Sequence, residues 1–188
     1  MGSRRSGIRG GARGGAVVIR RAEERDAGRL TRMVRTSGAY EGPYAAMVDG
    51  YRVGPDYISA HRVFVAVGGE CGDGEVLGFY ALMVDPVGPA ELDLLFVADR
   101  AQGLGIGRLL IEHLRGEARR AGAGRVRIVS HPPAEGFYRS VGARRIGTVP
   151  AYPPAVAWDR PELSLPVEPE FSGESEFWGE PEPSVEST

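Results

Sequence analysis

The sequence predicts an α/β domain built on a mixed β-sheet, and three observations carry that reading. Runs of β-branched and aromatic residues alternate with stretches whose apolar residues recur at helical spacing. The strand-like runs outnumber the helical ones, in the order βααβββαβαβ. One strong strand also passes through a glycine-rich turn directly into a helix.

Residues 16–20 read as a short strand. Ala22, Asp26, Leu30 and Met33 then recur at helical spacing, giving an amphipathic helix over 23–36 that Ser37-Gly38 ends. Tyr40, Tyr44, Met47 and Tyr51 suggest a second short helix, broken by Pro43. Strands follow at 62–67 and 75–85, joined by a glycine-rich loop around Cys71, and a third at 91–97. A helix over 106–121, with Leu109, Leu110, His113, Leu114 and Ala118 on its apolar side, ends at Gly122. A strand at 125–130, a helix at 134–141 and strands at 144–149 and 161–167 complete the series.

At 188 residues the chain suits one domain, 16–167, with appendages. Residues 1–15 are Gly/Arg-rich with four Arg and no acid, whereas 168–188 are Pro/Glu/Ser-rich with seven Glu and no base. Both compositions predict disorder, although Phe171, Phe177 and Trp178 give the second tail groups that could dock. Formal net charge is −2, so the near-neutral body argues against nucleic acid as a partner. No Lys is present, which excludes Schiff-base, P-loop-lysine and lysine-nucleophile chemistry. The single Cys71 cannot form an internal disulfide and predicts a reducing, cytoplasmic setting. No stretch approaches the ~18 apolar residues of a membrane span, and no metal-ligand cluster is apparent.

The chemistry concentrates after Glu91-Leu-Asp-Leu-Leu-Phe-Val97. Gln102-Gly-Leu-Gly-Ile-Gly107 opens the next helix, where unpaired amides and a positive dipole end form an anion cradle. A P-loop would need Lys, and a dinucleotide fingerprint would need glycine where Arg108 or Leu110 stands, so both fail. Glycines serving only a tight connection are the bland alternative.

The Gln-x-x-Gly-x-Gly spacing after that strand resembles the GNAT superfamily of N-acetyltransferases. Ile19–Ala22 with Asp26, Leu30 and Met33, the segment 121–129, and Phe137-Tyr138-Arg-Ser-Val-Gly-Ala143 match the family's other elements in order. Ala143 stands where an aromatic is common. The resemblance implies a central mixed, splayed sheet flanked by helices, and acetyl-CoA as cosubstrate. Its pyrophosphate would sit on Gln102, Gly103, Leu104, Gly105, Ile106 and Gly107, supplemented by Arg108. Its pantetheine would run along Phe96 and Val97, with His131, in the place of a common Asn, on the cofactor side. Tyr138 matches the family's general acid, with ordinary core packing as the alternative. Glu91 and Asp93, two residues apart on one strand face, are the candidate bases. Tyr40 and Tyr44 would contact the acceptor, or else pack the core. The implied activity is acetyl transfer to a primary amine of a small molecule or peptide by direct attack in a ternary complex. The alternative is an acyl-CoA-binding sensor without turnover. Exposed sheet edges in such domains leave room for a homodimer.

Overall fold

The computed structural model describes residues 16–69, 74–85 and 89–168. Residues 1–15, the loop holding Cys71, and the acidic tail from 169 with Phe171, Phe177 and Trp178 lie outside the described residues.

Seven strands form one sheet in the order β1-β2-β3-β4-β5-β7-β6. They are β1 (Val17–Arg21), β2 (Arg62–Gly68), β3 (Val76–Met83), β4 (Ala90–Val97), β5 (Arg125–Val129), β6 (Arg144–Val149) and β7 (Arg160–Pro166). Every described neighbour pair is antiparallel except β4 with β5, so the sheet is mixed. Helices α1 (Ala27–Arg35), α2 (Pro55–Ala60), α3 (Ile106–Arg120) and α4 (Glu135–Ser140) flank it.

Alternation along the strands builds a core on each face. Val63 and Val65 of β2 pack with Phe79, Leu30, Val34 and Ile58 on the α1 and α2 face. Ala66, Tyr80 and Leu82 join Leu110, Leu114, Ile128 and Leu163 on the α3 and α4 face. Arg20 and Asp26 tie β1 to the start of α1 through hydrogen bonds of 2.7 and 2.9 Å, and Asp26 also accepts the Glu23 amide. Burial alone would raise the Asp26 carboxyl, but the Arg20 guanidinium and that amide hold it below its ordinary value. The 106–121 helix stops where the sequence places its stop. Gly122 takes φ +79°, and the Ala123 amide reaches back to the Ala118 carbonyl at 3.0 Å, closing a Schellman cap.

Two features depart from the sequence reading. The 40–51 segment forms two 3₁₀ stretches, Gly38–Tyr40 and Gly42–Met47, because Gly42 turns with φ +62° and Pro43 opens a new segment. α2 was not foreseen, although Gly54-Pro55-Asp56 is a helix-start pattern, with Pro in the first turn and an acid beside it.

The decisive irregularity lies in β4. Ala81 faces Leu94 and Leu82 faces Leu92, so Asp93 is an extra residue with no partner on β3. This bulge switches the alternation: Leu92 packs in the α3 core and Leu94, only two residues on, packs in the opposite core. β4 pairs with β5 only from Ala90 to Leu92. Beyond that the two parallel strands diverge, and β5 continues against β7 instead, with Ser130 donating its amide to the Pro161 carbonyl at 2.8 Å.

Candidate active site

The divergence of β4 and β5 opens a cavity of about 760 Å³. β4 from Leu94 to Val97 forms one wall with an unpaired backbone edge, Val129–His131 and Arg160 form the other, and α4 closes the floor with Phe137 and Tyr138. The glycine-rich turn lies at its mouth. Gly103 and Gly105 adopt φ +77° and +81°, a backbone that side chains with a Cβ rarely accept, and Gly105 serves as the N-cap of α3. The first amide returned within that helix is Leu109 to the Gly105 carbonyl, so those of Ile106, Gly107 and Arg108 precede the intrahelical bonds. Gly107 has a different reason: a Cβ there would stand 3.0 Å from Phe137 Cζ, so its absence lets α4 dock on the start of α3. Asp99 braces the turn, accepting from the Gln102 side chain at 3.0 Å and from the Gly38 amide at 3.2 Å. Arg108 lines the cavity beside these amides. Together they suit an anion (a phosphate above all) through backbone donors, dipole and one cation.

Tyr138 is buried, and no hydrogen bond with a described residue holds its hydroxyl. Burial, with Tyr40 nearby, pushes that hydroxyl well above its ordinary value, so it stays protonated. Glu91 and Asp93 both reach the cavity. Arg127 donates to Glu91 at 2.9 Å and to Glu162 at 2.6 Å, which commits the Glu91 carboxylate. Asp93 Oδ2 accepts the Tyr57 hydroxyl brought by α2. Burial, with Asp93 beside it, pushes Tyr51 up to about 12. His131 is buried, stacked on Tyr40 at 4.5 Å and met edge-on by Tyr44 at 4.3 Å. Burial lowers its pKa, leaving a neutral imidazole. Phe96 stacks on Tyr40 and on Phe79, with centroids 5.6 and 5.7 Å apart.

Residues 59–142 match the model of the acetyltransferase (GNAT) domain. That segment is a GNAT acetyltransferase domain.

Solved structures agree on the fold of this GNAT domain. A GCN5-related N-acetyltransferase from Rhodopseudomonas palustris superposes with TM-score 0.67 at 17% identity, covering 84% of this chain and 99% of that one. The ribosomal-protein-S18-alanine N-acetyltransferase of Escherichia coli gives TM-score 0.59 at 20% identity, covering 85% and 97%. yncA of Salmonella typhimurium, solved with its cofactor acetyl-CoA, gives 0.59 at 19%, covering 85% and 98%. No curated protein matches the chain by sequence. The matched family makes this an acyltransferase-class enzyme domain, with a mixed, splayed sheet as its scaffold.

Most residues singled out in the sequence converge on one cavity: Tyr138, Glu91, Asp93, Phe96, Val97, Gln102, Gly103, Gly105, Ile106, Gly107, Arg108, His131 and Tyr40. Two stand apart from it. Leu104 is 71% exposed at the tip of the turn, and Tyr44 lies one layer out, wedged between His131 and Trp158. Sequence reasoning missed Arg127, Tyr57, Phe137, Trp158 and Arg160 as cavity or supporting residues. Arg127 carried a readable signal, being the middle residue of an alternating Arg-Val-Arg-Ile-Val strand that follows the cradle helix. Among the described residues no helix is long and apolar enough to cross a membrane.

Proposed function

We propose that the 16–167 domain is an acetyl-CoA-dependent, cytoplasmic N-acetyltransferase that moves an acetyl group to a primary amine by direct attack in a ternary complex. One observation carries the reading. A single cavity joins a left-handed glycine cradle, the free edge of β4 and a protonated, unengaged tyrosine. The donor sets fit the group: the amides of Ile106, Gly107 and Arg108 with the Arg108 guanidinium suit a pyrophosphate, and the unpaired edge at Phe96 and Val97 suits an amide-bearing arm laid alongside as an added strand. The fold shared with a structure that holds acetyl-CoA supports the same assignment. Bound acetyl-CoA would supply an activated thioester carbonyl.

The chain's own residues supply the rest. Asp93 keeps Oδ1 clear of the Tyr57 hydrogen bond and takes the proton of the acceptor ammonium, directly or through one water. Glu91, which accepts from Arg127, adds a second carboxyl group to this wall. Tyr138 donates its proton to the leaving sulfur. A hydroxyl whose pKa is raised stays protonated at neutral pH, so the proton is in place for the leaving sulfur.

The test is calorimetric titration with acetyl-CoA on the wild type and on Gly105→Trp. A Cβ at Gly105 meets nothing within 4 Å, but the φ of +81° strains any side chain there, so the substitution distorts the cradle backbone as well as adding bulk to it. The expected result is binding by the wild type that is lost in the variant, with far-UV circular dichroism confirming that the variant is folded. Absence of binding by the wild type overturns the reading. Release of free thiol in an amine screen then reads turnover.

A further inference from the structure

Three buried side-chain polar atoms among the described residues lack a hydrogen-bond partner: His131 Nε2, Trp158 Nε1 and Arg160 Nε. They gather in one place. Tyr44 bridges the first two edge-on, with centroids 4.3 Å from His131 and 4.6 Å from Trp158. The Ser130 amide bonds the Pro161 carbonyl at 2.8 Å, which sets His131 and Arg160 alongside each other on neighbouring stretches of chain, and both line the cavity. Burial alternates through Val156, Ala157, Trp158, Asp159 and Arg160, so Trp158 and Arg160 turn to the same side.

Buried polar groups are normally satisfied, and the two orphans on residues that line the cavity, His131 and Arg160, mark a place shaped for a partner from outside the chain, with Trp158 behind His131 across Tyr44. Their chemistry gives the sign of that partner. The indole N–H and the guanidinium are donors only, and the guanidinium is a permanent cation. Arg160 makes no ion pair with a described residue, in contrast to Arg127, which Glu91 and Glu162 satisfy on the same cavity surface. The neutral imidazole of His131 adds one ring N–H to the set. Facing them across the splay are the carboxylates Glu91 and Asp93 on β4.

We propose that Arg160 and His131, backed by Trp158, form an anion subsite on the β7 wall, and that the acceptor is an amine that also carries a carboxylate, an amino acid or a close relative. The proposal rests on the acetyl-transfer reading above and names the substrate class of that site. The ammonium end meets the acidic β4 wall while the carboxylate lies in the fork of Arg160, a planar group on a planar group. The phosphates of the cosubstrate do not compete for this position. Their cradle follows β4, whereas Arg160 opens β7, on the far side of β5 in the sheet order.

The experiment uses the full-length protein with CoA present and no acetyl donor, and titrates L-phenylalanine, L-phenylalaninamide and phenethylamine by calorimetry. Phenylalanine is chosen because Tyr40, Tyr51 and Phe96 line the cavity. The wild type should bind the carboxylate-bearing probe about tenfold or more tightly than the other two. Arg160→Gln should shrink that preference to about twofold, with Arg160→Lys between that variant and the wild type, because an ammonium keeps the charge and loses the fork. Far-UV circular dichroism and the urea-unfolding midpoint, measured on the same samples, report that each variant is folded. Equal binding of the three probes, no binding of phenylalanine, or an Arg160→Gln effect that weakens all three alike overturns the subsite. Failure of the wild type to bind acetyl-CoA overturns the acetyl-transfer reading instead, so the two failures are told apart.

Discussion

In the proposed mechanism Tyr138 takes the role of acid through one hydroxyl. Its ring completes the α3 and α4 core while its oxygen borders the cavity, so the ring and the hydroxyl can be tested separately. Tyr138→Phe keeps the packing and removes the proton. The expected outcome is a fall in kcat of about 10²-fold or more with the KM for acetyl-CoA within about twofold of wild type, measured by thiol release. Burial raises the Tyr138 pKa, so the acid stays loaded up to and beyond its ordinary value near 10. The pH profile of kcat should therefore rise as the amine and its base lose protons, and show no falling limb below about pH 10. The glycines of the cradle were legible in the sequence because each meets a local demand, a left-handed backbone or a helix start, whereas Tyr138 was named only through the resemblance to the family. The clamp of Arg127 on Glu91 and the Tyr57–Asp93 bond were not legible. Each joins residues 36 positions apart, and nothing near either partner announces the other.

The elements that matter most are held by close approaches. α4 docks on the first turn of α3 because Gly107 presents no Cβ to Phe137. Gly107→Ala forces a contact of 3.0 Å against the ring and should cost about 1–3 kcal/mol in urea unfolding. It should also weaken acetyl-CoA binding, since the same residue contributes an amide to the cradle. Phe137→Leu, which shortens the intruding group, should restore part of the stability in the double variant. If the two changes were strictly additive, the proposed contact would not exist in solution. Similar crowding explains Gly78, where a Cβ would fall 2.8 Å from the Phe96 carbonyl oxygen. The β4 bulge was the element feature the sequence concealed. Glu91 to Val97 reads as an unbroken strand, and only the register against β3 shows that Asp93 has no partner.

At the scale of the molecule, the sheet separates two cores and the cavity opens where the sheet itself splits. A ligand laid between β4 and β5 would bridge strands that protein hydrogen bonds leave apart, so binding should stabilise the whole domain. At acetyl-CoA about 100 times its Kd, mass action adds about 2.7 kcal/mol, and a domain of this size should gain roughly 5–10 °C in Tm. A differential scanning measurement with acetyl-CoA and with adenosine 3′,5′-bisphosphate separates occupancy of the splay from occupancy of the cradle. Only the full cosubstrate should deliver the whole gain. An equal gain from the bisphosphate would place the binding outside the splay.

The sequence by itself determined the alternation of strands and helices, the glycine cradle with its helix, the helix stop at Gly122 and the acidic strand that precedes the cradle. These follow from rules acting over a few residues, namely side-chain period and the φ that glycine alone accepts freely. Tertiary structure alone decided that β4 and β5 part after Leu92, that Arg127 pairs with Glu91, that α2 delivers Tyr57 to Asp93, and that Arg160 lines the cavity with its Nε unpaired among the described residues. Those outcomes depend on strand register and on which distant side chains meet. A single unpaired residue in one strand moves every side chain after it to the opposite face.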